Sequence, residues 1–313
     1  MSNPPVIETQ GLQKSYGAVQ ALRGVDLEVH QGEVFGFLSP NGAGKTTTIR
    51  CLLDLIRPNG GTLRVLGLDP QLQPVAVRAR CGYLPGELHF EDAQTVEGAL
   101  RYLGELRQKK LDWDFACQLA KRLDLDLKPQ IKNLSKGNKQ KVGIVQAFMG
   151  RPELLLLDEP TSGLDPLAQR AVVGLVSEAC QNGATVFFSS HVLSEVQEIA
   201  GRVAILRQGA VVEVADPQAL IRRAMRRVTV RFGGSMGSAG QVSPESLAPL
   251  IALPGVRLLS PIDAVPLRLQ VEGEIDGVVK ALAVFAVSDL ETERPSLEEL
   301  FLAYYESPAG QGG

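Results

Sequence analysis

The residues with the clearest chemical purpose are Gly42, Gly44, Lys45 and Thr46 in the stretch SPNGAGKTTT, residues 39–48. Their spacing is that of a phosphate-binding loop, G-x-x-x-x-G-K-[ST], except that Ser39 holds the first place. A triphosphate is cradled by successive backbone N–H groups and by the positive end of the following helix, so glycine is needed where a side chain would block the approach. Gly42 and Gly44 meet that need, Lys45 has the reach for the β- and γ-phosphates, and the Thr46 hydroxyl can ligate Mg²⁺. The expected nucleotide cradle is therefore the whole loop: Ser39, Pro40, Asn41, Gly42, Ala43, Gly44, Lys45, Thr46 and Thr47. Its first place forms the turn out of the preceding strand and touches phosphate least. If that place demands positive φ, serine costs on the order of 1 kcal/mol there.

Three other stretches carry compatible chemistry. ELLLLDEP, residues 153–160, reads as an apolar strand ending in two carboxylates. Asp158 can hold a magnesium shell and Glu159 can polarise an attacking water. TVFFSSH, residues 185–191, delivers His191 to the end of another apolar strand, where an imidazole can bond a γ-phosphate and orient the water. LSKGNKQKV, residues 134–142, places Ser135 at a helix N-cap with Gly137 in the first turn, a further anion site. Each has a plainer meaning alone: an acidic pair after a strand is a solvated turn, a strand-end histidine is a structural hydrogen-bonder, and L-S-x-G is a cap. The phosphate loop changes that balance.

These groups need a scaffold that brings strand ends together. Residues 25–38, VDLEVHQGEVFGFL, alternate and then turn continuously apolar, which predicts a hairpin followed by a buried strand entering the loop. Thr46–Ile56 reads as the following helix, closed by Pro58-Asn59-Gly60-Gly61. Leu154–Leu157, Thr185–Phe188 and Val203–Leu206 read as strands of the same parallel sheet, the last turning at Gln208-Gly209 into Val211–Val214. That is the βαβ rhythm of a doubly wound α/β fold, which keeps ligands at the carboxyl ends of its strands. Between about residues 88 and 150 amphipathic helices take over, predicting a helical subdomain inserted in the α/β core. Beyond about residue 221 the order β-α-β-β-α-β with a closing helix predicts a small α+β, ferredoxin-like accessory domain, 221–313, after a 1–220 first domain.

Composition narrows the class. The chain has 313 residues, 44% hydrophobic and 21% charged, and a net charge of -3, so no overall basic field gathers nucleic acid or anionic lipid. Cys51, Cys81, Cys117 and Cys180 are widely spaced without a C-x-x-C pair and read as small buried hydrophobes in a reducing cytoplasm. No run approaches the roughly twenty apolar residues of a membrane span, and MSNPPVIETQ lacks the regions of a signal peptide. Work at a membrane would require another chain to span it.

In this order the motifs resemble one family, the nucleotide-binding subunits of ABC transporters, over residues 6 to about 217. SPNGAGKTT looks like the phosphate loop of this P-loop ATPase family, LSKGNKQ its signature, LLLLDEP its acidic strand, SGLD at 162–165 its dimer-contact loop and SSH its switch histidine. Tyr16, in KSYG, matches the aromatic residue that stacks on adenine. The resemblance implies a head-to-tail pair of cassettes, homodimeric or heterodimeric, holding two ATP with Mg²⁺ between them. Ser135 and Gly137 would then meet nucleotide held by the partner cassette's phosphate loop, and Asp165 of the dimer-contact loop is counted among the nucleotide-binding residues. It also implies ATP hydrolysis that drives a separately encoded transmembrane permease, with the cassette cytoplasmic and peripheral on the inner face of the membrane.

Besides Ser39, the sequence departs from the family in two places. The signature has Lys136 where glycine is usual and Asn138 where glutamine is usual. In GYLPGEL, residues 82–88, the magnesium-binding glutamine after the proline is replaced by Gly86, followed by Glu87; either water takes the vacant role or the Glu87 carboxylate does. These variants, with SLEELFLAYY near the end, are similar to the bacterial branch that serves drug and antibiotic export. Leu297, Leu300, Phe301 and Tyr304 there form an apolar helical face suited to core or dimer interface, and the arginines of IRRAMRRVTVRF a solvated face. Two other classes compete. A ribosome- or DNA-acting relative would carry two cassettes or a long inserted coiled coil, which this chain lacks; an ATP-gated binding module with little turnover is prompted by the absent glutamine.

Overall fold

The computed structural model describes residues 4–40, 42–106, 111–190, 192–223, 225–233, 245–262, 264–294 and 299. The chain divides into two compact units, residues 1–216 and 217–313.

The first unit opens with β1 (Pro5–Tyr16) and β2 (Val19–His30), an antiparallel hairpin that turns at Gly17 with φ 59°. β3 (Val34–Leu38) leads through the phosphate loop into α1 (Lys45–Leu52), followed by β4 (Gly60–Val65), α2 (Pro74–Arg80) and β5 (Cys81–Leu84). Three helices come next, α3 (Val96–Glu105), α4 (Trp113–Arg122) and α5 (Lys136–Phe148). The unit closes with β6 (Leu154–Asp158), α6 (Pro166–Gln181), β7 (Thr185–Ser190), α7 (Leu193–Ile199), β8 (Arg202–Arg207) and β9 (Ala210–Ala215).

Two sheets result, an antiparallel one of order β2-β1-β4 and a six-stranded one of order β5-β6-β7-β3-β8-β9. In the larger sheet every pair is parallel except β8 with β9. Its central strands β3, β6 and β7 are buried at every position, which is why they read as continuous apolar runs rather than alternations. Phe35 stacks on Phe187 across β3 and β7 at 5.8 Å between ring centres, and Ile49, Leu52, Leu154 and Leu156 belong to the same fully buried core.

Residues 25–38 do not make the expected hairpin. β2 pairs with β1, whereas β3 lies between β7 and β8 in the other sheet. The Gln31-Gly32 turn crosses between layers, with Gly32 at φ 75°; alternation shows that two strands flank a turn but not that they pair. The helix after the loop also ends early, at Leu52, because Asp54 takes the left-handed conformation with φ 50°.

The helices of 96–148 start at side-chain caps. Thr95 accepts from the Gly98 N–H, Asp112 from Phe115 and Ser135 from Asn138, at 3.1, 3.0 and 3.2 Å. Each cap satisfies an N–H that the first turn leaves without a helical partner.

The second unit contains α8 (Pro217–Arg223), β10 (Arg226–Phe232), α9 (Ala248–Ile251), β11 (Val256–Leu258), β12 (Leu267–Val271), α10 (Asp276–Leu282) and β13 (Val287–Glu293). Its sheet is antiparallel throughout, of order β11-β12-β10-β13, so the fourth strand lies beside the first and the third beside the second, the split βαβ arrangement. Val228, Val230, Leu267 and Leu269 on one sheet face pack with Leu250, Val278 and Leu282 into a separate core. Arg227 and Arg231 pair with Glu299 and Asp289 at 2.9 and 3.8 Å. The apolar residues Leu297, Leu300, Phe301 and Tyr304 lie outside the described residues, as do 234–244 and the closing tail.

Candidate functional site

The register of the large sheet assembles the site. Leu38 at the end of β3 pairs with Ser190 of β7, and Asp158 at the end of β6 pairs with Ser189. Three carboxyl ends therefore stand side by side, and the chain leaving each turns over the same edge.

The loop leaving β3 depends on two left-handed glycines. Gly42 has φ 80° and Gly44, the N-cap of α1, has φ 117°. A Cβ on Gly44 would come within 2.7 Å of the Ala21 carbonyl oxygen and 2.8 Å of a Leu22 methyl, so both torsion and space require glycine there. Ser39 is fully buried and its backbone is not among the positive-φ residues. Its hydroxyl donates to the Pro40 carbonyl at 3.1 Å. The serine at the first place thus carries no left-handed strain.

Lys45 is 5% exposed. Its Nζ donates to the Ser39 carbonyl at 2.6 Å and lies 3.5 Å from Glu159 Oε1. Burial holds its ammonium below the ordinary lysine value, against the opposing pull of Glu159 and Asp158. Asp158, 1% exposed, takes two short hydrogen bonds, one at 2.5 Å from the Thr46 hydroxyl to Oδ2 and one at 2.5 Å from the Ser189 hydroxyl to Oδ1. The Thr46 and Asp158 oxygens are the hard donors that Mg²⁺ takes, and they already stand together.

Glu159 sits in the left-handed region with φ 51°. For a residue with a long side chain this conformation costs of order 1 kcal/mol or more, and it persists only where the surroundings enforce it. They do so here: the Glu159 N–H donates to both the carbonyl and the hydroxyl of Ser189, at 3.1 Å each. A cavity of about 140 Å³ opens over the loop, lined by Ala21, Pro40, Gly42, Gly44, Lys45, Thr46, Thr47 and Glu159.

The other expected residues stand differently. Ser135 is exposed at the head of α5, and neither it nor Gly137 lines that cavity. A Cβ on Gly137 would come within 2.9 Å of the Gly163 carbonyl, so α5 begins in close contact with the 161–165 turn. Asp165 caps α6, its carboxylate accepting from Leu167 and Ala168 at 3.0 and 2.9 Å. The Ala168 N–H, chiefly, holds its carboxyl below the usual carboxylate value. Tyr16 is 48% exposed at the end of β1, with Lys14 Nζ 5.4 Å from its ring centre, and so offers an open aromatic face. Gly86 lies against Asp158: a Cβ there would be 3.1 Å from Oδ2. Glu87 is exposed and does not line the cavity. Asn41 and His191 lie outside the described residues.

Sequence reasoning missed Ser189 and Gln140. Ser189 had a visible signal, a hydroxyl closing the apolar run TVFF. Gln140, buried in α5, donates from Nε2 to the carbonyls of Glu159 and Pro160, each at 3.1 Å; nothing local announces that role.

A doubly wound sheet with a glycine loop, a buried lysine and a hydroxyl–carboxylate pair at its carboxyl edge defines a P-loop nucleotide-binding cassette. The ABC transporter family model matches residues 22–162. A daunorubicin resistance ATP-binding protein of Streptomyces coeruleorubidus, DrrA3, is 33% identical over 309 residues, 95% of this chain and 94% of that protein. An uncharacterized ABC transporter ATP-binding protein of Synechocystis is 38% identical over 222 residues, 65% of this chain. The chain spans 61% of that relative's length. Among solved structures, an ATP-binding subunit of an ABC transporter superposes with a TM-score of 0.64 at 30% identity, over 69% of this chain and 92% of that one. A dimeric bacterial ABC transporter cassette superposes at 0.61 and 21% identity, over 67% and 98%. The chain belongs to the ABC transporter family, among its ATP-binding proteins.

Proposed function

We propose that this chain binds ATP with Mg²⁺, hydrolyses it between two cassettes, and so drives export of a drug-like or antibiotic-like small molecule through a separately encoded membrane subunit. The observation that carries the hydrolytic reading is the meeting of two motifs in one cavity: Lys45 beside Glu159, and Thr46 hydrogen-bonded to Asp158.

In this reading the loop N–H groups and Lys45 hold the β- and γ-phosphates. Thr46 and Asp158 would hold Mg²⁺, which would neutralise charge on the phosphates. A γ-phosphate competes with Glu159 for Lys45, and the carboxylate so released orients a water for in-line attack. The water oxygen bonds the γ-phosphorus as the bond to the β–γ bridging oxygen breaks, and ADP and phosphate leave. His191 is assigned the γ-phosphate by the family resemblance. For the missing glutamine we favour water over Glu87, since Gly86 offers no side-chain donor beside Asp158 and Glu87 does not line the cavity.

The two-cassette arrangement is supported by the position of Ser135 and Gly137, which do not line their own phosphate cavity, and by the dimeric state of the cassette at 21% identity. Export of a drug-like molecule is supported by the similarity to DrrA3, which runs through both units of the chain. No helix among the described residues is long and apolar enough to cross a membrane; we assign the cassette to the inner membrane face, held by its permease. The deciding experiment is phosphate release from Mg·ATP by the wild type and by Glu159→Gln. A fall of about 10²–10⁴-fold in kcat with ATP binding retained is expected; equal rates reject Glu159 as the water-orienting group.

A further inference from the structure

We propose that Gln140 and Glu195 are positioning residues for hydrolysis, clamping the turn Glu159-Pro160-Thr161 from two separate helices and so setting where the Glu159 carboxylate stands. The inference rests on the reading of Glu159 as the water-orienting group. Gln140, 6% exposed on α5, spends its amide on the carbonyls of Glu159 and Pro160. Glu195, 9% exposed on α7, accepts the Thr161 hydroxyl at 2.7 Å, with the Ser190 hydroxyl 3.5 Å from the same oxygen. Together with the Ser189 bonds to the Glu159 N–H, three consecutive residues are fixed by groups from α5, α7 and β7.

The need for such a clamp follows from the backbone. Glu159 at φ 51° would relax to a more favourable torsion if its neighbours allowed it, and relaxation would swing the carboxylate away from Lys45. A shift of about 1 Å in a reacting group costs on the order of 100-fold in rate. Gln140 also lies on the helix whose first turn holds Ser135 and Gly137. One rigid element thereby joins the turn bearing this chain's own carboxylate to the helix start assigned to a second cassette's nucleotide.

The test compares steady-state ATP hydrolysis and melting temperature for Gln140→Met, Thr161→Val, Glu195→Ala, Glu195→Gln and the double variant Thr161→Val/Glu195→Ala. Expected are kcat losses of about 10- to 100-fold for Gln140→Met, Thr161→Val and Glu195→Ala, with KM for Mg·ATP within about twofold of wild type. Because Thr161 and Glu195 share one hydrogen bond, the double variant should be no slower than the worse single one. Glu195→Gln keeps an acceptor and should recover most of the rate. Three outcomes overturn the proposal: kcat near wild type in Gln140→Met and Thr161→Val, losses that multiply in the double variant, or Glu195→Gln as slow as Glu195→Ala. If Glu195→Ala does not fold, Thr161→Val breaks the same bond from its other end. Glu159→Gln measured alongside separates the two readings. Wild-type turnover by it removes the role of Glu159 itself, whereas an inactive Glu159→Gln with fully active clamp variants removes only the clamp.

Discussion

The loop at 39–47 and the helix start at 135–138 both offer backbone N–H groups at the head of a helix, yet they are built in opposite ways. The loop's lysine is buried against Ser39 and Glu159, and its threonine is tied to Asp158 across the sheet edge. The head of α5 is exposed, and apart from its Ser135 cap its close neighbour is the Gly163 carbonyl. The first region is preorganised within one chain, so its geometry survives without help. The second is an exposed helix start, which under the proposed pairing of cassettes would meet nucleotide carried by another molecule.

The two regions should separate most clearly in Lys45→Ala, which removes a buried cation from beside Glu159. Loss of ATP binding and of hydrolysis together is expected, the latter by about 10²–10³-fold or more, checked by equilibrium binding of a fluorescent ATP analogue and by phosphate release. Gly137→Ala should act on the other region only. Its methyl would press on the Gly163 carbonyl and displace the α5 start, so hydrolysis should fall by about tenfold or more while binding of the analogue stays near wild type. Equal damage to both measurements would dissolve the distinction between the two halves.

Asp165→Ala tests whether the exposed half owes its shape to caps. The melting temperature should fall and Asp165→Asn should restore it, since an amide oxygen also accepts from N–H groups. The folded carboxyl lies below its unfolded value, so its contribution is present above the unfolded pKa and is lost as pH falls through the lower, folded one. The wild type and Asp165→Ala should therefore differ at pH 7 and converge in acid. The smallest effect is expected from Ser39→Gly, which completes the literal motif. Because Ser39 carries no positive φ, glycine relieves nothing; it adds freedom to the unfolded chain and should lower stability by up to about 1 kcal/mol, measured by urea unfolding, with ATP binding unchanged.

Much of the buried half was legible because its signals are local. The glycines, Lys45 and Thr46 lie within a few residues of one another, and Asp158 and Glu159 close one apolar run. The helix caps at Ser135 and the split βαβ order of the second unit were readable for the same reason. What escaped were partnerships across long sequence separations. Ser189 reaches Asp158 over 31 residues, Thr161 reaches Glu195 over 34, and the amide of Gln140 reaches the turn at Glu159 from α5. The failed hairpin at 25–38 has the same origin: strand periodicity shows which faces are buried but does not assign a strand to a sheet.

The amino-acid sequence by itself determined the chemical inventory: which glycines, which lysine, which carboxylates, and the strand-loop-helix context that makes their spacing meaningful. Only the tertiary structure decided that Thr46 and Asp158, 112 residues apart, share a hydrogen bond, and that Glu159 is held in a left-handed turn beside Lys45. The physical reason is the strand order β6-β7-β3, which no local pattern encodes. It follows from burying three apolar strands at the centre of one parallel sheet, and that burial carries their polar ends to a common edge.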